Sequence, residues 1–205
     1  MKKFVYPFLF LLLITLIFVI PNIPLPFSFP LRINNLFISV YNRFTIWMPF
    51  IFLSGLILSC FITVFFKKYR YKGAKFLLFL FALMFICFLS TNYISPLLRD
   101  YSKGYVIERI EPVIKALDKY KKDNDAYPES LQLLSPHYIE KIPSTRVLTI
   151  KDVEYKRDNE NYTLLFMQYI NGWDVDIVMY NSNNKYDDDN SNLKKFGNWR
   201  YYFRN

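Results

Sequence analysis

Acidic residues are missing from the first 99 positions of this 205-residue chain, because all 17 lie between Asp100 and Asp189. Residues 1–98 carry nine lysines and arginines and therefore the whole formal excess of +9, whereas residues 99–205 carry 17 and are neutral. A buried charge is costly in hydrocarbon, so a long segment without carboxylates is typical of a membrane anchor. The sequence predicts two units, an anchor at residues 1–98 and a polar domain at residues 99–205.

Several residue types that catalytic sites need are also scarce. His137 is the single histidine, which excludes a His-based metal cluster or catalytic triad within this chain. The five glycines are too scattered for a phosphate-binding loop. Cys60 and Cys87 both fall in the predicted anchor, so the polar domain has no disulfide of its own. No catalytic constellation is recognisable, and the chain is predicted not to be an enzyme.

Three uncharged stretches predict the anchor, since about 20 apolar residues cross the hydrocarbon core of a bilayer as a helix. They predict transmembrane helices at about residues 4–20, 44–66 and 76–96. The first stretch follows Lys2 and Lys3, which also suits a secretory signal. Residues 19–23 offer no small-x-small cleavage site, which favours an uncleaved anchor.

Lysine and arginine placement predicts the orientation. Residues 67–75 hold five basic residues and the N-terminus two, against two in residues 21–43. This distribution favours a multi-pass protein of the cell (inner) membrane with a cytoplasmic N-terminus and a periplasmic or extracellular C-terminal domain. The basic segment is read as a topology determinant, with contact to anionic lipid as the alternative. The neutral outer domain does not favour a nucleic-acid partner.

Periodicity predicts an α+β domain. Apolar positions at helical spacing predict an amphipathic helix over residues 106–120, with a kink or a restart at Pro112 and an end at Asp123-Asn124-Asp125. Ser95-Pro96 and Gly104 are expected to loosen the exit from the membrane before it. Tyr127–Leu131 is predicted to open a short second helix. Alternating patterns then predict strands at residues 147–156, 162–170, 173–179 and 199–203. The predicted domain is a long helix packed on an antiparallel sheet of three or four strands.

One part of this pattern resembles a known family. The segments that carry the resemblance are Pro112–Tyr120, Tyr127-Pro128-Glu129-Ser130-Leu131, Pro136–Pro143 and Asn198-Trp199-Arg200-Tyr201. In this order they look like the globular domain of type II secretion pseudopilins, in which an amphipathic helix leads through Tyr-Pro and a Pro-bounded segment to a small sheet. The resemblance covers about half of the chain and implies a pseudopilin-like fold.

The chain departs from the pseudopilin pattern at its N-terminal side. A pseudopilin has one N-terminal hydrophobic helix after a prepilin-peptidase site. Gly104 to Glu108 echoes that site, but Glu108 comes one residue too early and no hydrophobic span follows. The chain is therefore predicted to display a pseudopilin-like domain for protein–protein interaction without being a pilus subunit itself. Its predicted partners are the lipid bilayer and an envelope protein.

Two acidic groups are candidate sites. Asp187, Asp188, Asp189 and Asn190 form a hard-oxygen cluster of the kind that calcium prefers, and some pseudopilins bind calcium in a loop near the C-terminus. A calcium- or ligand-sensing domain is therefore the alternative function, and a solvated loop is the alternative structure. Asp174 and Asp176 share one face of a predicted strand, which suits general acid–base chemistry or, more simply, two solvent-facing carboxylates.

The outer domain is also rich in aromatic residues. Tyrosine and tryptophan are common anchors of protein interfaces, so this excess is compatible with a recognition surface. Core and interfacial positions are the simpler interpretation for most of them.

Overall fold

The computed structural model describes residues 9, 19–28, 30–65, 72–158, 160–170, 174–186 and 194–204, and for some residues of the long helices and for Arg204 it describes the backbone alone. Two helices come first, α1 at Leu31–Phe65 and α2 at Lys72–Asn124. Single 3₁₀ turns lie at Ile20–Asn22 and Leu131–Leu134. The strands are β1 at Glu154–Asp158, β2 at Asn161–Tyr169, β3 at Val175–Asn181, β4 at Lys194–Phe196 and β5 at Trp199–Arg204.

The sheet has the order β1-β2-β3-β5-β4, and every neighbouring pair is antiparallel. The predicted α+β arrangement with an antiparallel sheet is found, but with five strands. The additional strand is β4, whose polar Lys194 and Lys195 give no strand pattern. It pairs with β5 across a tight turn in which Gly197 adopts a φ of 57°, a conformation that favours glycine. The predicted strand over residues 147–156 is mostly irregular, with β1 beginning only at Glu154.

The prediction of three N-terminal transmembrane helices is wrong. Among the described residues, one helix is long and apolar enough to cross a membrane, Ile33–Ile62 within α1. By length and composition this helix near the N-terminus suits a membrane anchor or a signal sequence. The predicted span at residues 76–96 lies in the first part of α2, a helix of 53 residues that continues into the charged domain. Of residues 4–20 the structure describes only Leu9, Val19 and Ile20.

Helix α2 does not loosen where the sequence suggested. It runs through Pro96 and Pro112 without a break. Arg99 Nη1 donates a 2.9 Å hydrogen bond to Ser95 Oγ, which bridges the turn around Pro96. Gly104 has a packing role, since a Cβ atom there would lie 3.3 Å from the ring of Phe196 in β4. The proposed boundary between residues 98 and 99 therefore falls inside one helix.

The two long helices run side by side in opposite directions. Gly55 of α1 packs so closely on Phe81 of α2 that an added Cβ atom would lie 2.4 Å from that ring. At the other end of the pair, Asn34 Nδ2 of α1 donates a 3.4 Å hydrogen bond to the Ile150 carbonyl oxygen in the domain. The domain thus lies at the N-terminal end of α1, and the C-terminal end of α1 points away from it.

The C-terminal part of α2 covers one face of the sheet and forms the core. The predicted helical stripe is confirmed, because Val106, Ile110, Val113, Ile114 and Leu117 are all buried. These side chains belong to one cluster with Leu164, Phe166, Val178 and Trp199 from the sheet. Complete burial of such side chains stabilises the fold by about 1.5–3 kcal/mol each. The helix ends at Asn124, as predicted, and Asp125 has a φ of 59°.

Truncation of the core should therefore destabilise the domain. Leu117 is fully buried, so Leu117→Ala should lower the free energy of unfolding by about 2–5 kcal/mol through lost burial and a residual cavity. Chemical denaturation of the full chain in detergent, followed by tryptophan fluorescence, measures this loss. Lys115→Ala, at an exposed position on the same helix, is the matched control and should change the value by less than about 0.5 kcal/mol.

Candidate functional site

The predicted calcium cluster, Asp187, Asp188, Asp189 and Asn190, lies outside the described residues, so calcium binding there stays a prediction. Within the described ranges, no group of three or more His, Cys, Asp or Glu residues is placed to hold a metal ion. His137 is exposed, as expected.

The carboxylates of Asp174 and Asp176 are not a solvent-facing pair. Asp176 lies in β3 with only 6% of its surface exposed, whereas Asp174 precedes the strand. The strand register turns Asp176 to the same side as the core residue Val178, toward α2. The expectation that Asp176 faces solvent is therefore wrong. Val178 and Asp176 face the core on the helix side, whereas Ile177 and Met179 face the other side of the sheet.

A buried lysine neutralises Asp176. Lys103 of α2 is 4% exposed, and its Nζ atom lies 2.7 Å from Asp176 Oδ2 and 2.9 Å from Asp100 Oδ1. The same ammonium lies 4.2 Å from the ring centroid of Tyr201 in β5. Since a buried charge without a partner costs several kcal/mol, this group of side chains holds α2 in one position over the sheet.

A second set of polar contacts joins the segment before α1 to the same end of the domain. Ser102 of α2 donates a hydrogen bond to the carbonyl oxygen of Asn22. The backbone amide of Thr149 donates to the Pro21 carbonyl oxygen at 3.2 Å, and that of Leu25 donates to the Arg146 carbonyl oxygen at 2.8 Å. Together with the ion pair, these buried groups form a helix–domain junction, which we define by Asn22, Ser102, Lys103, Thr149 and Asp176.

The ion pair gives a test of the junction. Lys103→Met leaves Asp176 buried without its cation and should lower the free energy of unfolding by about 3–5 kcal/mol. Adding Asp176→Leu removes the orphaned charge, so the double variant should recover most of this loss. Denaturation of the full chain in detergent measures both values. A double variant as unstable as Lys103→Met would show that the pair does not act as a unit.

Most of the aromatic excess belongs to the core. Tyr162 is 1% exposed and its ring lies 4.7 Å from that of Tyr127 in an edge-on arrangement. Tyr155 and Tyr180 pack on the same ring at 6.0 Å. Burial raises the pKa of the Tyr155 hydroxyl to about 12 and raises that of Tyr162 further. These tyrosines are thus neutral packing residues.

The opposite face of the sheet carries a second apolar surface. We define the outer sheet face by five side chains, which are Leu165, Met167, Ile177, Met179 and Tyr202. Leu165 pairs with Met179, and Ile177 pairs with both Met167 and Tyr202, so the five form one continuous group across three strands. None belongs to the core cluster on the helix side. All except Ile177 are partly exposed.

Cations border the outer sheet face on one side. The segment of β4 and β5, residues 194–204, has four basic residues and no acidic one. Lys195 lies directly opposite Arg200, and Arg200 is opposite Met179 of the outer sheet face. Among the described residues neither cation has a carboxylate within ion-pair distance. Like charges in opposed positions repel each other, so an anion at this edge would stabilise the sheet.

Comparison with protein-family models, curated proteins and solved structures finds no match to this chain. The resemblance to pseudopilins therefore stays a prediction. Sequence reasoning missed both Lys103 and the outer sheet face. A signal for the latter was present, since β2 is largely apolar at successive positions, and a strand that is apolar on both faces needs cover on both.

Proposed function

We propose that this chain is a membrane-anchored envelope protein whose domain binds an acidic segment of a protein partner on the outer sheet face. The observation that carries the proposal is the apolar row from Leu165 to Tyr202, which lies outside the core and beside the cations Lys195 and Arg200. Apolar surface of this kind, bordered by charge, is typical of protein interaction sites. The pseudopilin-like segments fit a domain that docks on other proteins without being a pilus subunit.

The proposed location rests on α1. Its Ile33–Ile62 segment has few buried residues, and large apolar side chains such as Trp47, Phe50 and Leu58 are more than half exposed. Lipid is the environment that suits such a surface. The five basic residues of 67–75 follow the C-terminal end of α1, whereas the domain contacts its N-terminal end. The positive-inside rule then favours a domain on the extracytoplasmic side.

Location has a direct test. A reporter that is active only outside the cytoplasm, fused after Asn205, should be active in intact cells. A second reporter that works only in the cytoplasm, fused at the same position, should be silent. The reverse pattern would contradict the extracytoplasmic location and leave the outer sheet face to a cytoplasmic partner.

Partner binding is tested by photo-crosslinking in intact cells. A photoreactive residue at Met179 should capture a discrete protein, and mass spectrometry should locate the crosslink in an acidic segment. The same residue at Lys115, exposed on α2 away from the sheet, is the control and should capture nothing comparable. Crosslinking at both positions alike would argue against a specific surface.

Charge reversal tests whether the cations beside the outer sheet face contribute to partner binding. Lys195→Glu should lower the crosslink yield at Met179 about tenfold, because it replaces attraction to an acidic segment by repulsion. Lys122→Glu makes the same charge change at an exposed position of α2 and should leave the yield unchanged. An unchanged yield in Lys195→Glu would contradict an acidic partner.

A further inference from the structure

A separate cavity lies on the helix side of the sheet, away from the outer sheet face. It has a volume of about 270 Å³ and opens between α2, the 3₁₀ turn at Leu131–Leu134 and the segment that leads into β1. Its apolar wall includes Ile110 and Val113 from one face of α2, and Leu131 and Val153 opposite them. An apolar cavity of about 150 Å³ is large enough for benzene, so this one has room for a ring and a short alkyl chain.

One carboxylate belongs to the lining of this cavity, beside its apolar wall. Asp152 lines the cavity together with the polar residues Gln132 and Ser144. The Asp152 side chain is exposed, and partial desolvation by the neighbouring residues raises the pKa of its carboxyl above the usual value. Arg109 of α2 donates a 3.0 Å hydrogen bond from Nε to the Ser144 carbonyl oxygen, and Arg146 lines a smaller neighbouring cavity together with Asp152. Within the residues that the structure describes, neither arginine forms an ion pair with Asp152.

Asp152 has no protein partner in the described part of the chain. It forms neither an ion pair nor a side-chain hydrogen bond there. The Asp152 side chain is exposed beside the cavity, so its carboxylate is open to a charge-assisted hydrogen bond from a ligand cation. The apolar wall and the single negative charge together specify an amphiphilic cation.

We propose that this cavity binds a small primary ammonium with an apolar body, of the arylalkylammonium class. The ring and alkyl chain fill the space between Val113, Leu131 and Val153, and the ammonium group pairs with the Asp152 carboxylate at the mouth. Gln132 and Ser144 offer oxygen atoms for the remaining N–H groups of the ammonium. An anionic molecule of the same shape is disfavoured, because its carboxylate would face that of Asp152.

The probe for this site is 2-phenylethylammonium. Titration calorimetry is carried out with the full chain in nanodiscs of zwitterionic lipid, and empty nanodiscs provide the reference for partition into the bilayer. The wild-type protein should give saturable heat with 2-phenylethylammonium and none with 3-phenylpropanoate. Equal binding of the two probes, or no saturable heat with either, would overturn the proposal.

Two isosteric variants test whether the Asp152 carboxylate binds the ammonium group. Asp152→Asn should weaken binding at least about tenfold, which corresponds to about 1.4 kcal/mol. Asp158→Asn, at an exposed carboxylate of β1, is the matched control and should bind as the wild type does. Thermal melting of both variants verifies that they are folded. Unchanged affinity in a folded Asp152→Asn variant, or an equal loss in Asp158→Asn, would overturn the assignment.

Discussion

The ion pair between Lys103 and Asp176 is the contact on which the geometry of this protein depends. Both side chains are almost fully buried, so each requires the other at 2.7 Å to offset the cost of leaving water. Lys103 belongs to the helix that runs beside α1, and Asp176 belongs to the central region of the sheet. The pair therefore sets the rotation and height of α2 over the sheet and brings the two long helices and the domain to one junction.

The continuity of α2 follows from this arrangement and has consequences for function. A single helix reaches from its contact with α1 to the domain core, so a packed element and not a flexible linker joins the two parts of the structure. The helix covers one face of the sheet and leaves the other to the proposed partner. The cavity beside Asp152 opens where α2 meets the irregular segment before β1, and so is adjacent to the same helix.

Much of the domain was predictable from local pattern. The stripe from Val106 to Leu117 identified the buried face of α2, and the polar residues after Tyr120 located its end. The strands β2, β3 and β5 were recognisable from alternation and turn residues. Strand β4 was not, because Lys194 and Lys195 become a strand only by pairing with β5. Asp176 was assigned to the wrong face, since a charged residue signals solvent unless its partner, 73 positions away, is known.

The sequence by itself determined the segregation of charge, the apolar helix near the N-terminus and the α+β composition of the polar half, because hydropathy and periodicity are local properties of the chain. Tertiary structure alone decided that residues 76–98 join the domain helix as one element, that Lys103 is buried against Asp176, and that Leu165, Met167 and Met179 form a second apolar surface. Each of these depends on which distant segments come into contact, and strand register and helix packing are set by the whole core rather than by neighbours in the chain.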